Sequence, residues 1–281
     1  MTRLAGGGWT ARIRPEQGAS FVHLAHEGAD VLVPVPDSEH AGRARGGGYW
    51  MAPFCNRIDA GRFHAAGRDW QIPINRPQQQ VAIHGFAREG VFHVEEHGPG
   101  HALFVQHLDV PESPWRCEIR FALGLGEAGA AIDFEIRHDG EEAAPYGFGW
   151  HPFFVRPAGT RLGFHAQHLI DADARGLPMP PAPSSGFDGD VATILGMDAH
   201  FAGWDGAARL DLGGRRFTLR ASGAWARNVH VFAPREHEFL CVEPVTHATD
   251  AINRAALAPY GPMTTLRPGE SLSARLLIAP G

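Results

Sequence analysis

The 281-residue sequence is 44% hydrophobic and 20% charged, enough apolar material for a sizeable core and far from the composition of a disordered chain. Its formal net charge is −6, and all 25 basic residues are arginine. That balance speaks against a nucleic-acid or anionic-membrane surface, and the lack of lysine removes Schiff-base chemistry. Cys55, Cys117 and Cys241 are odd in number, widely spaced and without a CxxC pair, so neither a disulfide framework nor a structural zinc site is expected. No apolar run near the N-terminus is long enough for a secretory signal, and none elsewhere is long enough for a membrane span. A cytoplasmic location fits these features best.

In chain order, Trp9 to Ile13, Ala19 to His23 and Val31 to Val33 are short apolar runs broken by turn residues, the pattern of an antiparallel meander. An arginine- and glycine-rich loop, Arg43 to Gly48, leads into an apolar run from Tyr49 to Ile58. Asp59-Ala60-Gly61 then predicts a tight turn, with Arg62-Phe63 as a return strand. The clearest strands are Val91 to Glu95, Ala102 to Leu108, Trp115 to Leu123 and Ala130 to Arg137, with turns at residues 98–100 and 126–129. Leu177 to Ser185 is too proline-rich to pair within a sheet and reads as an extended surface loop. Strands follow at Arg209 to Leu212, Arg216 to Arg220, Val229 to Phe232, Phe239 to Val242 and Ser271 to Ala279. With no convincing long helix and no fixed-period repeat, the sequence predicts an all-β sandwich forming one domain over residues 1–281.

The stretch Tyr146 to Phe154 sets His151 among aromatics, glycines and Pro152. Alternating glycines suit a strand whose backbone is closely approached, and a ligand is one candidate for what lies against it. Pro152 keeps His151 extended and removes a ladder donor, which suits a strand end at a cleft. Four further motifs place polar groups where apolar or turn residues are expected: Asn56-Arg57, His84-Gly85-Phe86, Asp198 within 196–201, and Glu243 between Val242 and Pro244. Each has a bland reading: a surface charge for Arg57, a strand end for His84, a turn cap for Asp198 and a structural ion pair for Glu243.

Together these residues favour acid/base chemistry. His84, His151 and Glu243 are metal-ligating types, but no HxH or HExxH spacing supports a metal site. A GxSxG elbow and a phosphate-binding GxxxxGK[ST] loop are absent. A cleft of His, Glu, Asp, Arg and aromatic rings suits a neutral polyhydroxylated ligand, whose C–H faces pack on rings while its hydroxyls need polar partners.

These residues resemble the aldose 1-epimerases, or galactose mutarotases. The likeness rests on Asn56-Arg57-Ile58 with Gly61-Arg62-Phe63, His84-Gly85, Gly149 to Phe154, Gly196-Met197-Asp198 with Phe201, Glu243 to Thr246, and Leu266 to Leu272, in the family's order. The resemblance implies a large twisted antiparallel β-sandwich, the galactose-mutarotase-like supersandwich, acting on free aldoses without metal or organic cofactor. It implies His151 as general acid and Glu243 as general base, with Asn56, Arg57, His84, Trp150 and Asp198 at sugar-binding positions and Phe148, Trp150 or another cleft aromatic as a stacking face. It further implies a small-molecule sugar as partner and a monomer or homodimer. Phe86 after Gly85, and Trp150 before His151, depart from the galactose-specific members and leave the sugar open. Two alternatives stand beside this reading: a non-catalytic sugar-binding protein, and a hexose-6-phosphate mutarotase, for which Arg43, Arg45 and Arg88 are the residues to watch. A glycoside hydrolase would need two spaced carboxylates, whereas the best pair here is one Glu and one His.

Overall fold

Alternation explains the central sheet. In the strand Arg116–Gly126, Cys117, Ile119, Phe121, Leu123 and Leu125 are buried while the residues between them are not, the two-residue period of a strand with one face on a core. The computed structural model describes all of residues 1–281. In it this strand sits third in a nine-stranded antiparallel sheet whose order is His93–His97, His101–Asp109, Arg116–Gly126, Gly129–His138, Ser271–Pro280, Arg216–Gly223, Ala207–Asp211, Arg161–Phe164 and Phe187–Asp190.

Two six-stranded sheets face it. One carries Thr2–Gly6, Trp9–Arg14, Ser20–His26, Gly48–Met51 and Gly149–Pro152, with Ala29–Asp30 pairing on Ser20–His26 as its sixth strand. The other runs Phe154–Val155, Phe239–Pro244, Asn228–Ala233, Met197–Ala202, His168–Ile170 and Ala182–Pro183. They are tied by bridges between Gly149 and Val245 and between Leu32 and Phe154. Phe121 packs on Phe21 and Trp50, and Phe164 on Phe201, so both layers share one apolar cluster of 59 buried residues running from Leu4 to Ile278. Burial on this scale supplies most of the driving force for closing the sandwich. Helix is confined to five 3₁₀ turns of three or four residues.

Three local expectations are corrected. The apolar run after Tyr49 leaves its sheet after Met51, and Arg57–Asp59 resumes as a separate strand against Val81–Ile83. The turn at Asp59-Ala60-Gly61 exists, with Gly61 N donating to Ile58 O at 3.2 Å, but it does not close a hairpin: Arg62–Ala65 pairs with Arg68–Gln71 instead. In the proline-rich stretch, Ala182–Pro183 does pair, with His168 and Leu169, at the outer edge of its sheet, where a missing N–H costs no ladder bond.

Candidate active site

The strands Gly149–Pro152 and Phe239–Pro244 meet where the two six-stranded sheets join, and each contributes one titratable side chain. Glu243 is 1% exposed on a strand whose six residues are all buried. His151 faces it, Nε2 lying 3.3 Å from Glu243 Oε1. The imidazole is fixed from both sides: the ring of its cross-strand partner Tyr49 stacks on it at 4.7 Å, and Phe153, two residues on, stacks at 4.7 Å.

The alternating glycines before His151 are approached closely, but by the protein itself. A Cβ on Gly147 would collide with the His247 ring, and one on Gly149 would lie 2.8 Å from both Met51 and Val245. No ligand is needed to explain them.

Asn56 and His84 both have left-handed backbones, with φ of 52° and 63°. Asparagine takes this conformation readily, whereas for histidine it is uncommon and must be held by its surroundings. Here His84 N donates to Asn56 O at 2.9 Å. The next residue is Gly85, with φ 61° and no room for a side chain against the Ala52 carbonyl. This double turn brings the His84 ring to 5.2 Å from that of His151, edge to face.

On the adjacent strands Asp198 accepts from His230 Nε2 at 2.7 Å and from Arg57 Nη2 at 3.4 Å. Arg57 is held in turn by Asn56 Oδ1 at 2.8 Å and Gln79 Oε1 at 3.2 Å. Asn56, Arg57, His84, His151, Asp198 and Glu243 line one cavity of about 980 Å³, together with Tyr49, Phe153 and His230. The sequence motifs thus converge, with one exception. Trp150 is fully buried in the main core against Phe21 and Trp50, because neighbouring residues of a strand point to opposite faces. Phe148 is likewise buried, against Phe134 and Trp225, so the cavity's aromatic walls come from Tyr49, Phe153, Phe232 and Phe239.

The electrostatics of the pair follow from burial. Desolvation pushes Glu243 well above the usual carboxyl range, the nearby Asp198 charge adds to this and Arg57 opposes it. Burial lowers His151 to about 3, helped by His230 and Arg88. Burial thus disfavours charge on both members and favours the proton on Glu243 with His151 neutral, although the 3.3 Å geometry would equally suit an ion pair. For Asp198, burial alone would raise the carboxyl, but the hydrogen bond and charge of His230, with Arg57, outweigh it and keep it ionised. Nδ1 of His84 and of His151 are buried without a partner.

The ligand atoms of His151, Cys241 and Glu243 lie within 4.8 Å of one another, so the side chains best placed to hold a metal include Cys241 rather than His84. Sequence reasoning also passed over His230. Its signal was a histidine between Val229 and Val231 in mid-strand, where the two-residue period puts it on the same face as Asn228 and Phe232.

A strand-built cavity with a His–Glu pair on its floor, set in a sandwich of large antiparallel sheets, defines a galactose-mutarotase-like protein. The chain belongs to the aldose 1-epimerase family, whose model matches residues 4–279. It is similar to YphB of Escherichia coli K12, 24% identical over 247 residues that cover 80% of this chain and 81% of that protein. Among solved structures it resembles a galactose mutarotase-like protein from Clostridium acetobutylicum, with a TM-score of 0.88 and 20% identity over 99% of this chain and 94% of the other. It also resembles the GalM/aldose epimerase homologue from C. elegans, with a TM-score of 0.83 and 15% identity over 100% and 98%. At such identities the structural likeness speaks for the fold. No helix is long and apolar enough to cross a membrane.

Proposed function

We propose that this protein is an aldose 1-epimerase that interconverts the α and β anomers of an aldose with a free anomeric hydroxyl. The observation that carries the reading is the buried His151–Glu243 contact of 3.3 Å on the floor of a cavity whose other polar groups suit sugar hydroxyls. Glu243, as carboxylate, takes the proton of the anomeric hydroxyl while His151, as imidazolium, donates to the ring oxygen. The ring C–O bond breaks and an aldehyde forms. Rotation about one bond and closure with the roles reversed gives the other anomer.

Burial favours the neutral forms of both groups, and the reactive form differs from these by one proton moved from Glu243 to His151. A bound sugar favours it, since a hydroxyl donating to the carboxylate and an oxygen accepting from the imidazolium both stabilise the charged forms. Arg57, Asn56 and His84 hold ring or hydroxyl oxygens, and Asp198 accepts from hydroxyls.

Polarimetry of freshly dissolved α-glucose and α-galactose, with and without the protein, tests the activity. Acceleration of at least one sugar, unchanged by EDTA, is the expected result. Activity lost to EDTA and restored by zinc would overturn the cofactor-free mechanism, and sugar binding without acceleration would make the chain a binding protein. Asp198→Ala and Arg57→Ala are expected to act mainly on affinity, raising KM by roughly 10- to 100-fold, because a hydrogen bond to a charged group is worth about 1.5–3 kcal/mol in ground and transition states alike. A fall in kcat alone, with KM unmoved, would contradict those roles.

A further inference from the structure

The rim of the same cavity carries an arginine whose charge the protein leaves largely unanswered. Arg88, in the turn Ala87–Glu89, has a side chain only 14% exposed, and its Nε is buried with no hydrogen-bond partner. The carboxylate beside it does not supply one. Glu89 Oε1 stands 3.8 Å from Arg88 Nε, while Arg43 occupies both Glu89 oxygens through Nη2 at 2.6 Å and Nε at 3.0 and 3.3 Å. A guanidinium donor that is desolvated and unpaired is a cost folded proteins rarely carry unless a ligand removes it.

The surroundings repeat the imbalance. Five arginines and four carboxylates line the cavity of a protein whose net charge is −6. Arg57 is matched to Asp198 and Arg43 to Glu89. Arg45 and Arg76 line the cavity without an ion pair, and Arg45 abuts the His237 ring instead. Against these stand only Glu236 and Glu243, and Glu243 faces His151.

The position is as informative as the charge. The Arg88 guanidinium carbon lies 5.0 Å from the centre of the Tyr49 ring, and that ring is the one stacked 4.7 Å from His151. The Tyr49 ring therefore neighbours both the Arg88 guanidinium and the acid/base pair, and Arg88, His151 and Glu243 line the same cavity, within the span of a single monosaccharide. A neutral hydroxyl at Arg88 could accept one hydrogen bond and leave the charge standing. A phosphate or carboxylate offers two oxygens to the guanidinium fork and neutralises it.

We propose that the substrate is an anionic aldose, carrying a phosphate or carboxylate at the end remote from its anomeric carbon, with that group held by Arg88 and by Arg76 and Arg45 at the rim. The proposal rests on the mutarotase reading and narrows its substrate class.

The test measures kcat/KM for anomer exchange by NMR with glucose and galactose, their 6-phosphates, and glucuronate and galacturonate. At low salt one anionic sugar is expected to exceed its neutral parent by roughly tenfold or more, with the advantage shrinking as ionic strength rises. The better anion tells phosphate from carboxylate. Arg88→Ala is expected to bring that ratio down to about one, and Arg88→Lys to restore part of it. Neutral sugars matching or exceeding both anions, or a ratio indifferent to Arg88→Ala, would overturn the proposal while leaving mutarotation intact. A protein that exchanges no sugar at all would instead remove the mutarotase reading. Should Arg88→Ala fail to fold, the parent protein's ratio and its salt dependence decide.

Discussion

Glu243→Gln is expected to fold, to bind sugar within about tenfold of the parent protein, and to lose a factor of roughly 10²–10⁴ in mutarotation rate, the usual worth of one positioned acid or base. The amide keeps the size of the side chain and much of its hydrogen bonding but cannot take a proton. His151→Asn should behave likewise, since it removes the other proton carrier. The competing view, that Glu243 serves only as half of a structural ion pair, predicts a different result: breaking a buried pair costs about 3–5 kcal/mol and lowers the melting temperature. The electrostatics separate the two. Burial favours the protonated, neutral form of Glu243, so the substitution exchanges one neutral group for another and leaves no unpaired charge behind. Mutarotation rate, thermal melt and sugar titration on both variants decide the matter. A normal rate in folded Glu243→Gln would end the catalytic assignment.

The sandwich was legible because its longest strands obey a strict two-residue period, as Arg116–Gly126 shows, and because turn residues separate them. Pairing partners were less legible. Arg62–Ala65 follows a turn that looks like a hairpin, yet its partner lies on the far side of another turn, and only the tertiary packing chooses between the two. Six of the seven expected binding and catalytic residues line the cavity because each interrupts an apolar pattern with a polar group that burial would otherwise forbid. Trp150 was misplaced for a reason the sequence already contained: if His151 faces the cleft, strand parity sends its neighbour the other way. Parity read outward from His151 and Glu243 also reaches Tyr49 across the strand pair, Phe153, and Cys241 beside Glu243, none of which is marked by a motif. The proton's place in the His151–Glu243 pair depends on desolvation by residues distant in sequence, and no motif encodes it.

Acidification from neutral pH to pH 5 is expected to destabilise the folded protein by several kcal/mol. Four histidines are buried in neutral form. Burial lowers His84 well below its ordinary value, His151 and His200 to about 3, and His247 to about 4. Hydrogen bonding gives His247 an independent reason: Nδ1 donates to the Ala248 carbonyl at 2.8 Å while the Nε2 lone pair accepts from Cys55 N at 2.9 Å, so a second proton would break a backbone contact. In the unfolded chain these side chains protonate as pH falls through about 6.5. The folded state refuses the proton until about pH 4 to 3, so across that window the unfolded state binds more protons and stability falls as pH falls. Each histidine contributes about 1.4 kcal/mol per pH unit, roughly 2 kcal/mol between pH 6.5 and 5. Glu243 acts with the opposite sign: its raised folded value lets the native state hold a proton that the unfolded chain has released above about 4.5, which opposes the histidines. The three histidines lowered to about 3 or 4 together give about 6 kcal/mol, with His84 adding to this and Glu243 offsetting part of it, a change comparable with the whole 5–15 kcal/mol of a typical domain. Urea unfolding at pH 7, 6 and 5 measures the slope through its midpoints. A midpoint unchanged over those two units would mean that the buried histidines are already protonated when folded, and would remove the neutral form of the pair on which the proton inventory of His151 and Glu243 depends.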